Sequence, residues 1–191
     1  MVRFFYKLLC LMFLVSQSFG CVVSNEELSR IETLKPTSVS KVLPVELRYK
    51  QIRESGEESV MILGEHSNSM RLKVKNYLET LGNAHVTEGG DYKLFVTLKD
   101  RNDQNLFWLN LSVTALFLVP YHGSNTYTLE AQLKRNDEVI KRYDLDDKFE
   151  VYVHLLLAPA ALFQWPRNEM DIQENMLKNL AVRVSEDLRT L

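Results

Sequence analysis

Cysteine is nearly absent from this chain of 191 residues: Cys10 and Cys21 are the only two. Cys10 sits inside the apolar run Leu8 to Val15, so if that run is removed a single thiol remains and no intramolecular disulfide can form. Glycine is sparse as well, and its one adjacent pair, Gly89-Gly90, precedes a strand pattern instead of opening a helix. That excludes a phosphate-binding glycine loop. The four histidines, His66, His85, His122 and His154, form no pair at i, i+2 or i, i+4, so nothing signals zinc. Ser67 and Ser69 lie near His66 but in no G-x-S-x-G elbow, and helix capping is the simpler role for them. Asp144-Leu145-Asp146-Asp147 lacks the glycine and distal glutamate of a calcium loop and reads as a solvated turn where a strand ends. There is no block of like charge, low-complexity tract or internal repeat. These absences predict no cofactor, no metal and no nucleic-acid partner, and a protein that is not an enzyme.

What is present begins with Arg3 and Lys7, followed by Leu8 to Val15 and polar Ser16-Gln17-Ser18. That is the three-part build of a secretory signal. Eight apolar residues fall well short of the roughly 20 a helix needs to cross a bilayer. Residues 1–20 are therefore expected to be removed. The end of this stretch, Ser18-Phe19-Gly20-Cys21, resembles the lipobox of bacterial lipoproteins. Gly20 and Cys21 fit that pattern; Ser18 and Phe19 depart from it, since the family carries an aliphatic and a small residue there. Ser18-x-Gly20 also satisfies the small-x-small rule, so the lipoprotein peptidase and the general signal peptidase would cut the same bond. The resemblance implies that Cys21 carries the lipid, which would occupy an otherwise lone thiol in an oxidising compartment. Residue 22 is Val and not Asp, which by resemblance to enterobacterial lipoproteins implies a lipid-anchored protein of the outer membrane, facing the periplasm.

Beyond residue 20 the chain keeps 21 basic and 25 acidic residues, a mildly acidic balance. Residues 21–41, polar and with Ser-rich patches, read as the lipidated N-terminus and a tether, with a helical turn in Glu26 to Leu34; extended, some 20 residues reach about 65 Å. Residues 42–191 are long enough for one domain with a core. Val45, Leu47 and Tyr49 alternate with charged residues, a half-buried strand. Ser59 to Leu63, bounded by Gly56 and Gly64, reads as a buried strand. Met70, Val74, Tyr77, Leu78 and Leu81 share one face of a helix over 69–81, with Ser67 or Ser69 as N-cap and Gly82 as C-cap. Tyr92 to Leu98 alternate as a strand. Tyr127 to Leu133 and Val139 to Leu145, joined by Arg135-Asn136-Asp137-Glu138, form a hairpin. A last helix, opened by Asn168-Glu169-Met170-Asp171, carries Ile172, Met176, Leu177, Leu180, Val184 and Leu188 as its stripe.

Two charge-free stretches stand apart: NLFWLNLSVTALFLVPY and VYVHLLLAPAALFQWP. In the first, Leu109, Leu111, Val113, Ala115 and Phe117 alternate with Asn110, Ser112 and Thr114, which predicts a long strand. The second fits neither period and holds Pro159 and Pro166. Both are read either as core or as an apolar contact surface for lipid or a partner, made of Phe107, Trp108, Leu111, Phe117, Tyr121, Leu156, Phe163 and Trp165. A pair of transmembrane strands in an oligomeric barrel is a third reading, opposed by Pro159 in the ladder. In every reading the segments at 106–121 and 151–165 are expected to adjoin.

The fold class predicted is α+β: a single domain with a mostly antiparallel sheet of four or more strands and two helices on one face. This order of elements behind a lipidated cysteine is similar to the small α+β domains of the penicillin-binding-protein activator lipoprotein, the curli secretion lipoprotein and the N-terminal domain of TolB. The resemblance covers residues 42–190 and carries no motif that transfers a functional residue. The expected function is that of a non-catalytic lipid-anchored envelope protein, bound to the membrane by its N-terminal lipid, that docks onto or supports a larger assembly through a protein partner. The alternatives are a subunit of an oligomeric pore or secretion channel, or a small enzyme whose residues converge only in space.

Overall fold

The computed structural model describes residues 21–23, 28–36, 42–55, 58–115, 118–154 and 169–191. Seven strands and three helices occur among them: β1 (Cys21–Val23), β2 (Leu43–Ser55), β3 (Glu58–Ile62), α1 (Glu65–Leu81), β4 (Ala84–Val86), β5 (Tyr92–Asn102), α2 (Leu106–Thr114), β6 (Tyr121–Arg135), β7 (Glu138–Val153) and α3 (Glu169–Arg189). Hydrogen-bonded neighbours follow the order β1-β7-β6-β5-β2-β3, with β4 beside β2. The α+β class, the sheet and the two helices on one face agree with the expectation. The sheet is mostly antiparallel, but β2 pairs in parallel with both β5 and β4. That arrangement follows from α1, which carries the chain back across the sheet before β5 begins.

The chain groups into two compact units, and both β6 and β7 pass from one to the other. The described residues of the larger are 28–36, 42–55, 58–102, 126–148 and 169–191. Its period-two strands turn Leu43, Val45 and Leu47, then Tyr92 to Leu98, then Tyr127 to Leu133, inward as buried rows. Against them lie α1, with Met70, Val74, Leu78 and Leu81 buried, and α3, with its whole predicted stripe buried. The two helices pack on each other. Lys73 donates to Glu174 at 2.6 Å, and the Asn83 amide donates to the backbone and hydroxyl oxygens of Ser185 at 3.1 and 2.6 Å. On the opposite face of the sheet Arg48 and Lys134 lie over the Phe95 ring, 5.4 and 4.8 Å from its centroid. The hairpin turn holds Asn136 and Asp137 at φ 51° and 66°, the left-handed pair that a two-residue turn between twisted strands requires.

Four local expectations need correction. Helix α1 starts a turn earlier than its capping serines suggested: Gly64 is the N-cap, without a side-chain bond, and Ser67 and Ser69 lie inside the helix. The Asn68 N–H reaches the Gly64 carbonyl at 3.1 Å and Glu65 sits at the positive end of the helix, so the first turn closes without a hydroxyl. Gly82 ends the helix in the left-handed conformation as expected, φ 85°. Strand β3 is an exposed edge, not a buried strand, because it pairs only with β2 among the described strands. Asp144 to Asp147 lie within β7, not at its end; Asp144 and Asp146 face out and Asp147 faces in. The helical turn foreseen in Glu26 to Leu34 is not formed over 28–34. Instead the Ile31 N–H donates to Asn175 Oδ1 at 2.9 Å and the Asn179 amide donates to the Ser29 carbonyl at 3.1 Å, holding that part of the expected tether on α3.

Candidate docking surface

The described residues of the smaller unit are 21–23, 103–115, 118–125 and 149–154, and they contain α2, the start of β6, the end of β7 and β1. Residues 106–114, expected as a strand, are a helix. This also removes the transmembrane-strand reading of that stretch. Asn105 decides the matter: its side-chain oxygen accepts from the N–H groups of Phe107 and Trp108 at 3.1 and 3.2 Å, which satisfies two of the orphan donors at a helix start. The Thr114 hydroxyl donates back to the Asn110 carbonyl at 2.8 Å. Ser112, fully buried, donates to the Val119 carbonyl at 2.7 Å and fixes the helix on the chain that follows it.

Most of the side chains facing away are apolar and out in the open, with Asn110 and Thr114 exposed between them. Phe107 is 71 % exposed, Trp108 49 % and Leu111 39 %, and Leu106, Val113 and Leu118 are exposed with them. The Phe107 and Trp108 rings meet edge to face, centroids 5.8 Å apart. No charged residue occurs from Leu106 to Tyr121. Of the predicted contact residues, α2 therefore brings Phe107, Trp108 and Leu111 together. Tyr121 does not join them: it is buried, its ring lying over Gly123, where any Cβ would collide with the phenol. Phe117, Leu156, Phe163 and Trp165 lie outside the described residues.

Cys21 opens β1, which runs antiparallel to β7 with Cys21 opposite Tyr152 and Val23 opposite Glu150. The Tyr152 ring stacks on His122, centroids 4.4 Å apart, and its hydroxyl donates to Glu150 at 3.1 Å. Two residues on, His154 Nε2 is 3.2 Å from the Leu118 carbonyl. The described start of the second charge-free stretch thus meets the end of the first; its remainder, from residue 155, lies outside the described residues.

In the larger unit the sequence reading missed the character of β3. Val60 and Met61 stand exposed on a strand whose outer edge has no partner among the described residues, and Leu63, just beyond it, is 81 % exposed. Nothing in a short apolar run separates an edge strand from a central one, so no local signal could have shown it. The same unit has an open hollow of about 790 Å³ between α1 and the turn at Glu88-Gly89, lined by Glu46, Arg48, Arg71, Lys75 and Glu88 among others. Arg48 is held by Glu46 at 2.7 Å, and the lining contains no histidine, cysteine or serine. Among the described residues no three His, Cys, Asp or Glu side chains group as metal ligands, and no helix is long and apolar enough to cross a membrane.

No family model matches this chain, and no curated protein does. Solved structures similar to it include a protein from Xanthomonas campestris, with 11 % identity over 84 % of this chain and 91 % of that one and a TM-score of 0.37. The minor lipoprotein from Acinetobacter baumannii shares 16 % identity over 80 % of this chain and 92 % of its own, TM-score 0.42. Rare lipoprotein B from Shewanella oneidensis shares 11 % over 76 % and 89 %, TM-score 0.33. At this level of similarity no residue of those proteins maps onto a role here.

Proposed function

We propose that this chain is a non-catalytic protein of the bacterial cell envelope, lipid-anchored through Cys21 on the periplasmic side of the outer membrane, that docks onto or supports a larger envelope assembly. The observation that carries the reading is α2. The predicted apolar rows of β5, β6 and α3 are consumed in the core, whereas α2 keeps Phe107, Trp108 and Leu111 in the open. A cluster of large apolar side chains at the surface marks a contact that the isolated chain leaves uncovered. The outer edge of β3, which pairs with no strand but β2 among the described residues, supplies a second contact of a different kind, to which a protein partner can add a strand.

Photo-crosslinking in cells tests this. A benzophenone side chain at position 61, on β3, is expected to yield a discrete adduct with another envelope protein. Absence of a protein adduct at position 61 overturns the docking role. The anchor is checked separately by the mass of the mature N-terminal peptide: acyl chains on Cys21 are expected, and an unmodified cysteine, or a peptide starting elsewhere, overturns it.

A further inference from the structure

We infer that the occupant of the exposed face of α2 is the lipid surface itself, which makes this short helix a second, non-covalent membrane contact beside the acylated Cys21. The inference rests on the anchor reading above and says what its neighbouring surface touches.

Position is the first argument. Cys21 and α2 belong to the same compact unit. Cys21 pairs with Tyr152, His154 follows two residues later, and His154 reaches the Leu118 carbonyl just beyond α2. With strands about 5 Å apart and a rise of about 3.3 Å per residue, the backbone of Cys21 lies within about 20 Å of Leu118. An acyl-bearing residue must sit at the headgroup layer, so α2 cannot be far from it. The strand pairing also removes the slack that a free tether would give.

Chemistry is the second. A helix that dips into an apolar medium must bring no unsatisfied polar group with it. Here the hydroxyls of Ser112 and Thr114 are both spent on backbone carbonyls and Asn105 covers two of the N-terminal donors, which leaves the exposed Asn110 amide as the polar side chain that has to stay at headgroup depth. Nine residues make about 13.5 Å of helix, too short to cross a hydrocarbon core of about 30 Å but long enough to lie in its interface. Trp108 joins an apolar ring to an N–H donor, the combination that favours this depth.

The test uses the protein purified from membranes and reconstituted into vesicles of phosphatidylethanolamine and phosphatidylglycerol. Trp108 and Trp165 are the only tryptophans, so Trp165→Phe leaves Trp108 as sole reporter. Its emission is expected to shift to the blue, to be quenched by lipids brominated on their acyl chains, and to resist aqueous acrylamide. Emission at the wavelength of a solvated indole, fully open to acrylamide on vesicles that carry the protein, overturns the inference. In an unacylated Cys21→Ser chain, Phe107→Asp is expected to lower vesicle partitioning about tenfold or more, and unchanged partitioning overturns the inference too. That arm does not use the lipid, so a failure of acylation at Cys21 sinks the anchor alone. Should Trp165→Phe fail to fold, a benzophenone at position 107 in the otherwise unaltered protein gives the same decision: a lipid adduct supports the inference, and a protein adduct alone overturns it.

Discussion

Two helices of this molecule treat apolar side chains in opposite ways. Helix α3 turns Ile172, Met176, Leu177, Leu180 and Val184 wholly inward, and its other face carries the charges that meet α1 and solvent. Helix α2 has no charge at all and leaves Leu106, Phe107, Trp108, Leu111 and Val113 exposed. One is a helix because burying its stripe holds it in place. The other is a helix because Asn105 satisfies its first N–H groups and Thr114 bonds back to the Asn110 carbonyl, while Ser112 ties it to Val119 and its apolar surface remains available. Apolar content alone therefore does not distinguish core from contact surface; the placement of polar atoms does.

The sharpest way to break this comparison is to put the same charge on both helices. Leu180→Asp is expected to cost about 4 kcal/mol or more, since it removes a fully buried side chain and buries an unpaired carboxylate, and thermal melting should show an unfolded or barely folded protein. A Leu180→Asp protein that melts near the wild-type temperature would mean that α3 is not seated as described.

Acid separates the helices by a smaller margin. Glu174 on α3 accepts from Lys73 and is flanked by Tyr77 and Lys178, which hold its carboxyl down to about 2 against an ordinary 4.5. Because the folded value is depressed, the stabilisation is full above about pH 4.5 and is lost as pH falls towards 2. The expected loss is on the order of 1 kcal/mol across that window, screened because the pair is partly solvated. Glu174→Gln should be less stable at pH 7 and should lack this part of the acid slope in chemical denaturation; an identical slope in both proteins refutes the assignment. Nothing on α2 titrates, so its contact with vesicles should not follow the same curve.

The smallest stability effect belongs to Leu111→Asp. The side chain faces out from α2, so the melting temperature should stay close to wild type, a change within about 0.5 kcal/mol, while association with vesicles falls. A collapse of the melting temperature would place Leu111 in a core and erase the contrast between the two helices.

How much of this was legible depended on whether a pattern had one physical meaning. The rows Tyr92 to Leu98 and Tyr127 to Leu133 and the stripe from Ile172 to Leu188 each match a single period, and each is buried as that period demands. Asn136-Asp137 announced its turn because few residue pairs tolerate two positive φ angles. Residues 106–114 misled because Leu109, Leu111 and Val113 alternate with Asn110 and Ser112 as a strand would, yet on a helix the same residues surround the axis with no single stripe. The deciding signal, Asn105 ahead of the run, is local and easily outweighed by a count of periods. The position of β3 at an edge, the parallel pairing of β2 with β5 and the pairing of β1 with β7 are properties of the assembled sheet, and no window of sequence contains them.

The burial of α3 has a bearing on biogenesis. Its residues, 169 to 189, leave the ribosome after every strand found among the described residues. Until then the inward rows of β5 and β6 have α1 but lack the larger of their two covering helices, and the Asn83 amide has no Ser185 to meet. A chain whose residues 169 to 189 have not yet emerged is therefore expected to be less closed and more open to protease than the domain in which α3 is seated.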